Sequence, residues 1–306
     1  MTQKIVKVID LVPGTPQALN AIPAASLDKK TFWEEYVRKH LPVVIKGAAQ
    51  GWPALEKWTQ PGYLESRCGG QGAGMSRTFN PLPATPYFQN AVSRGKLAEY
   101  IAEMRNAAEN ETYSIPTIGL PQQWAEDLGK FSFFDERSDL KPRFYPGKRV
   151  FVYRNASTEW HHHPIDESLT TQLVGTKRFS MFRLNASDWK RYVPQIEANL
   201  HHMDCGKQFF PRDSVSLVKY DVVLEPGDTI YIPPFWWHGV DPADSGFGVT
   251  LAQCFKTPLQ RFGDWQEPAT RQLLKETLAN QKKWAIPVLA LVACSSVSRY
   301  LAGEKW

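Results

Sequence analysis

Apolar and polar positions along the chain change their period twice. From Thr31 to His40 the spacing is helical, with Phe32 and Tyr36 on one face and Ser26 and Asp28 as caps ahead of it. Leu41-Pro42-Val43-Val44-Ile45-Lys46-Gly47 then reads as a short apolar strand ended by glycine. Leu97, Tyr100, Ile101 and Met104 mark a second helix face. Phe131 to Phe134 and Phe144-Tyr145 are aromatic clusters whose plainest role is core packing.

After residue 148 the period shortens. Arg149 to Tyr153, Leu169 to Val174, Arg178 to Leu184, Val215 to Leu224, Thr229 to Ile232 and Gly248 to Phe255 are short β-type runs. Turn residues separate them, among them Gly175-Thr176 and Pro226-Gly227-Asp228. Many short strands at this spacing predict a β-sandwich or barrel. The helical period returns with Leu273, Leu274, Thr277 and Leu278, and again from Val288 to Val297. This divides the chain into residues 1–257, with a β core at about 149–257, and a helical extension over 258–306. A helical pair placed there can cap a barrel or form a homodimer contact.

Composition narrows the function classes. Apolar residues make up 42% and charged residues 22%, enough to bury a core. The formal net charge is only +5, and no block of like charges favours a nucleic-acid backbone. No apolar run reaches the length of a membrane span; the best, Ala285 to Cys294, contains Pro287. The first residues lack a signal-peptide pattern, and Cys68, Cys205, Cys254 and Cys294 form no paired motif. The expectation is a reduced cytoplasmic protein with buried thiols and no membrane partner.

Chemistry concentrates in the histidines. Three of the seven are consecutive, His161-His162-His163. On a strand, His161 and His163 would share one face and His162 the other, so the first and third could hold one metal ion. A third ligand must come from elsewhere, and His238 is the best candidate. It follows a Gly-Asp turn, the strand Thr229–Ile232, two prolines and Trp236-Trp237. His40, His201 and His202 read as surface residues. Two histidines plus a third group suit a non-haem iron site, where the third group is usually a carboxylate. Asp166 and Glu167 lie close enough in sequence to serve.

These segments resemble the JmjC/cupin-like hydroxylase family. The similarity runs through Thr158-x-x-His161-x-His163-Pro164, Gln172-x-x-Gly175-x-Lys177-Arg178, and Pro226-Gly227-Asp228 to Pro233-Pro234-x-Trp236-Trp237-His238. Phe32, Tyr36, Pro42 to Gly47, Trp52-Pro53-Ala54 and Trp58 extend it, so it covers roughly residues 26–257. The resemblance implies a double-stranded β-helix (cupin/jelly-roll) core with helical N-terminal elements and C-terminal helices. It implies Fe(II) as cofactor and 2-oxoglutarate and O2 as cosubstrates. By position, His161 and His238 correspond to metal ligands. Lys177 corresponds to the cation for the far carboxylate of 2-oxoglutarate, Thr158 to a hydroxyl on the same carboxylate, and Gln253 to an amide near the cosubstrate.

One departure bears on the chemistry. The family has a carboxylate two residues after the first histidine, and this chain has His163. Three arrangements follow: a ligand set of His161, His163 and His238; a set in which Asp166 or Glu167 swings in; or a shifted frame with His162 as ligand. Beside the 2-oxoglutarate oxygenase stand two alternatives, a three-histidine dioxygenase that needs no 2-oxoglutarate and a binding module without iron chemistry. The substrate is open among small molecules, peptides and RNA, with residues 80–88 as its expected rim.

Overall fold

The computed structural model describes residues 8–12, 14–77, 92–142, 145–163, 166–183, 218–234, 236–244, 246–256, 274, 278, 283 and 285–301. The expected rim at residues 80–88, together with His201, His202 and Phe144, lies outside these.

Eight strands form the core, numbered along the chain: β1 (Lys148–Arg154), β2 (Thr158–His161), β3 (Asp166–Val174), β4 (Lys177–Phe182), β5 (Val218–Leu224), β6 (Thr229–Ile232), β7 (Trp237–Pro242) and β8 (Phe247–Lys256). They pair antiparallel in two sheets, in the orders β6-β3-β8-β1 and β5-β4-β7-β2. Sequential strands mostly alternate between sheets, the connectivity of a jelly roll, so the chain is mainly β with the expected double-stranded β-helix core. Strands from the N-terminal part, Val43–Lys46 beside β6 and Tyr113–Gly119 beside β1, widen the first sheet to nine strands.

Strand alternation decides what each side chain meets. Val150 and Val152 of β1, Leu169 and Leu173 of β3, and Val249, Leu251 and Phe255 of β8 point outward from the first sheet. There they pack beneath the N-terminal elements, against Phe32, Trp52, Trp58, Trp124, Phe131 and Phe133. The opposite faces of the same strands turn toward the second sheet and line the interior cavity. Asp228 secures this arrangement. It accepts hydrogen bonds from the Gly47 and Glu225 N–H groups and pairs with Lys46, tying the N-terminal strand to the turn before β6.

Several local expectations change. The helix expected at Thr31–His40 starts at Lys29 and takes a π-helical form over Phe32–Val37, with Asp28 capping the Thr31 N–H at 2.7 Å. The strand β7 is not among the β-type runs read from the sequence, and β2 is expected only through the histidine triplet, because both are short and carry Trp-His runs with no clean alternation. Cys68 and Cys254 are buried, but Cys294 is exposed on the helix Ala285–Leu301, contrary to the expectation of buried thiols. Leu274 packs against Val292 of that helix. No described helix is long and apolar enough to cross a membrane.

Candidate metal centre

β2 and β7 bring two histidines face to face. His161 and His238 are direct cross-strand partners, with ring centroids 4.2 Å apart. The register slips just after, between His238 and Val240. Gly239 sits in this irregularity, and a Cβ there would stand 2.8 Å from the Trp160 ring. Glycine is what allows that indole to lie across the strand beneath the two histidines.

β2 ends at His161, so His163 does not share its strand as the sequence suggested. Pro164 follows in the sequence and offers no N–H to extend a ladder. His163 nevertheless turns inward. Its ring lies 5.2 Å from that of His161 and 5.0 Å from that of His238. One ligand nitrogen from each of the three falls within 4.8 Å of the others.

Two of the imidazoles, those of His163 and His238, are in the form a metal needs. His238 Nδ1 lies 3.0 Å from the Trp236 carbonyl oxygen, which can only accept. Nδ1 therefore carries the proton and Nε2 keeps its lone pair. His163 Nδ1 is buried without a hydrogen-bond partner. Burial pushes the pKa of His163 and of His238 well below the usual histidine value, and the neighbouring histidines add to the shift. Both are neutral at physiological pH, as ligation requires. A three-nitrogen donor set, with His163 and His238 buried and neutral and one ring nitrogen orphaned, fits a divalent transition metal.

The other candidate ligands go elsewhere. Glu167 lies on the outer face of β3 and accepts a 2.6 Å hydrogen bond from the Tyr231 hydroxyl. Asp166 accepts from the Tyr145 N–H at 3.0 Å and does not join the cluster. His162 stands edge-on to Trp237, 4.7 Å between centroids, outside the cavity. Burial lowers its pKa to about 4. Of the three arrangements the sequence left open, the structure assembles His161, His163 and His238.

The cavity runs from these histidines between the sheets. Thr158 and Lys177 line it, together with Ser168, Thr170 and Thr250. Gln253 does not: it shares the outward face of β8 with Leu251 and Phe255, while Thr250 and Ala252 face in. Trp160, Trp236 and Trp237 are also absent from the lining and pack in the protein interior.

Lys177 is 5% exposed and has no carboxylate partner among the described residues. Its ammonium sits 3.8 Å from the centroid of the Tyr153 ring. Burial alone pulls its pKa down to about 7. The Tyr153 hydroxyl accepts from Gln172 Nε2 at 2.8 Å, and Gln172 Oε1 accepts from the Thr250 hydroxyl at 2.8 Å. This chain fixes the aromatic seat of the lysine.

Sequence reasoning missed Arg149. It lines the same cavity, only 7% exposed, with its guanidinium 4.2 Å from the Tyr145 ring centroid. Alternation within Arg149-Val150-Phe151-Val152-Tyr153 was the available signal: the two valines are outward, so the arginine is inward.

Comparison with known proteins agrees with this construction. Residues 29–258 match the cupin-like domain family. Human tRNA wybutosine-synthesizing protein 5 is 26% identical over 243 residues, covering 74% of this chain and 75% of that protein. The Arabidopsis thaliana lysine-specific demethylase JMJ30 is 26% identical over 237 residues, 74% of this chain and 53% of its own length. The Caenorhabditis elegans bifunctional arginine demethylase and lysyl-hydroxylase psr-1 is 24% identical over 263 residues, 79% of this chain and 63% of its own length. The tRNA wybutosine-synthesizing protein 4 of Gibberella zeae matches over only 23% of its length. With three quarters of its length inside one family match and a jelly roll closing on three histidines, the chain belongs to the JmjC/cupin-like family.

Proposed function

We propose that the chain is an Fe(II)- and 2-oxoglutarate-dependent oxygenase that hydroxylates an unactivated C–H bond, with succinate and carbon dioxide as co-products. One juxtaposition carries the reading: three imidazoles and the buried Lys177, which has no carboxylate partner among the described residues, face one cavity. A cation costs free energy to bury unless an anion arrives to pair with it. A dicarboxylate cosubstrate supplies that anion. Two relatives, a lysine demethylase and a bifunctional arginine demethylase and lysyl-hydroxylase, favour the same chemistry.

His161, His163 and His238 would hold the metal. Bound iron, with 2-oxoglutarate as the two-electron reductant, supplies the oxidising power for the C–H bond. Lys177 Nζ donates to the far carboxylate, steadied over Tyr153, and the Thr158 hydroxyl donates beside it. Phe151, Phe179, Ile232 and Val240 keep water from the cavity. His238 stays oriented through its Nδ1–H bond to Trp236.

That no carboxylate among the described residues joins the histidine cluster favours one second reading, a three-histidine dioxygenase that works without 2-oxoglutarate. An anaerobic titration of Fe(II)-loaded protein with 2-oxoglutarate separates the two, followed by the visible absorption of the iron chelate. The expected band weakens in Lys177→Ala and vanishes in His238→Ala. Iron uptake without any band supports the second reading. Failure to bind iron overturns both and leaves a binding module.

A further inference from the structure

The cavity carries more positive charge than its proposed occupants neutralise. Where the family has an anionic ligand, this chain has the neutral His163, so a divalent metal keeps its full charge on the protein side. Lys177 adds one cation, and Arg149 adds a second. 2-Oxoglutarate brings two negative charges. Two positive charges remain in a space walled by Phe151, Phe179, Ile232 and Val240.

Arg149 is built to be paired. It is nine-tenths buried, and its Nε makes no hydrogen bond. Its guanidinium rests between Tyr145, at 4.2 Å from the ring centroid, and Phe151, at 5.5 Å. No ion pair joins it to a carboxylate among the described residues; Asp166 accepts from the Tyr145 N–H, and the polar side chain that contacts the guanidinium is the neutral Cys254 thiol, whose pKa burial raises. Tyr145 in turn lies 5.1 Å from the His163 ring, so arginine, tyrosine and metal-site histidine form a row. The position is set by strand pairing, since Arg149 stands opposite Ala252, itself a cavity residue. A rigid, planar donor fork held against aromatic rings suits a carboxylate.

We infer that Arg149 is a specificity-determining residue that binds a carboxylate of the substrate beside the metal centre, so the enzyme acts on a small carboxylate-bearing molecule. The inference rests on the cavity being the reaction site. It separates two anion positions, Lys177 for the cosubstrate and Arg149 for the substrate, on opposite sheets. The substrate charge then offsets part of what His163 leaves uncompensated.

The test uses propionate as the probe, on the full chain loaded with diamagnetic Zn(II), read by saturation-transfer NMR with and without saturating 2-oxoglutarate. 2-Oxoglutarate affinity is measured in parallel by calorimetry, and circular dichroism checks each variant's fold. Wild type is expected to show transfer to the propionate protons in both conditions. Arg149→Gln is expected to weaken propionate binding at least tenfold while leaving 2-oxoglutarate affinity within about twofold, and Arg149→Lys to restore part of the loss. Equal propionate binding in wild type and Arg149→Gln overturns the inference, as does propionate binding lost in Lys177→Ala but kept in Arg149→Gln. A parallel loss of 2-oxoglutarate affinity in Arg149→Gln also overturns it, because Arg149 then serves the cosubstrate. If 2-oxoglutarate binds no variant while propionate binding still depends on Arg149, the cosubstrate reading fails and the carboxylate site stands.

Discussion

His161 and His238 face each other across two antiparallel strands, although one belongs to the middle of the chain and the other to its last β-rich segment. The pairing of β2 with β7, not local sequence, makes them neighbours. The Trp236 carbonyl then fixes the His238 ring, and Gly239 leaves room for the indole that packs below.

Gly239→Val is therefore expected to disable the centre without touching a ligand. Its side chain would meet the Trp160 ring and shift β7 against β2. Overpacking of this kind costs about 1–3 kcal/mol. Co(II) titration, followed by its d–d absorption, should show affinity lowered at least tenfold, and urea unfolding should show the stability loss. Unchanged cobalt affinity would contradict the proposed role of the strand irregularity.

The third ligand can be tested by two substitutions side by side. His163→Ala is expected to lose most metal affinity. Glu167→Gln keeps the shape and the bond from Tyr231, so it should leave affinity within about twofold. A large loss in Glu167→Gln, measured by competition with a chromophoric chelator, would return the carboxylate to the ligand set.

Lys177 gives a pH signature. Its pKa in the ligand-free cavity is about 7, lowered by burial from 10.5. An anionic ligand selects the protonated form and raises that pKa. Binding above pH 7 must then take up a proton, and 2-oxoglutarate affinity should fall by up to about tenfold per pH unit. Calorimetry in buffers of different ionisation enthalpy reads the proton uptake directly. Affinity flat from pH 7 to 9 would rule out Lys177 as the titrating partner.

The same shift predicts a trade of stability against function. Between about pH 7 and 10.5 the unfolded chain binds more protons at this lysine than the folded one, so stability rises with pH through that window. The penalty is full below pH 7. Lys177→Met removes it, and its urea midpoint should exceed wild type most at pH 7 and below, converging toward pH 10. The variant should no longer bind 2-oxoglutarate.

Gly248 supports Lys177 from behind. A Cβ at Gly248 would overlap the ring of Tyr153, its cross-strand partner. Gly248→Ala is expected to displace that ring, weaken 2-oxoglutarate binding several-fold and leave metal affinity intact. Tyr153→Phe removes only the hydroxyl bonded to Gln172 and should weaken binding less. Equal metal and cosubstrate losses in Gly248→Ala would mean general unfolding rather than a local shift.

Much of this was legible beforehand. The short strands with their turns read as a β-sandwich or barrel; His161, His163 and His238 are candidates from residue type and spacing, Thr158 and Lys177 from the family resemblance, and all five face one cavity. Gln253 and Glu167 were misplaced for one reason. Their strands are buried on both faces, so hydrophobicity does not alternate and the inward face is unmarked. Arg149 was overlooked because a charged residue at the start of a strand looks like an edge residue until the opposite sheet closes over it.

The sequence by itself determined the inventory: a fold that alternates short strands, a histidine triplet with proline after it, a distal histidine after paired tryptophans, and one lysine at a glycine turn. Those features are local, written in residue type and spacing. Which of three consecutive histidines turns inward, whether a nearby carboxylate reaches the cluster, and which cations share the cavity were decided by the tertiary structure alone. The reason is that each depends on strand register between distant segments, where a shift of one residue exchanges inside for outside.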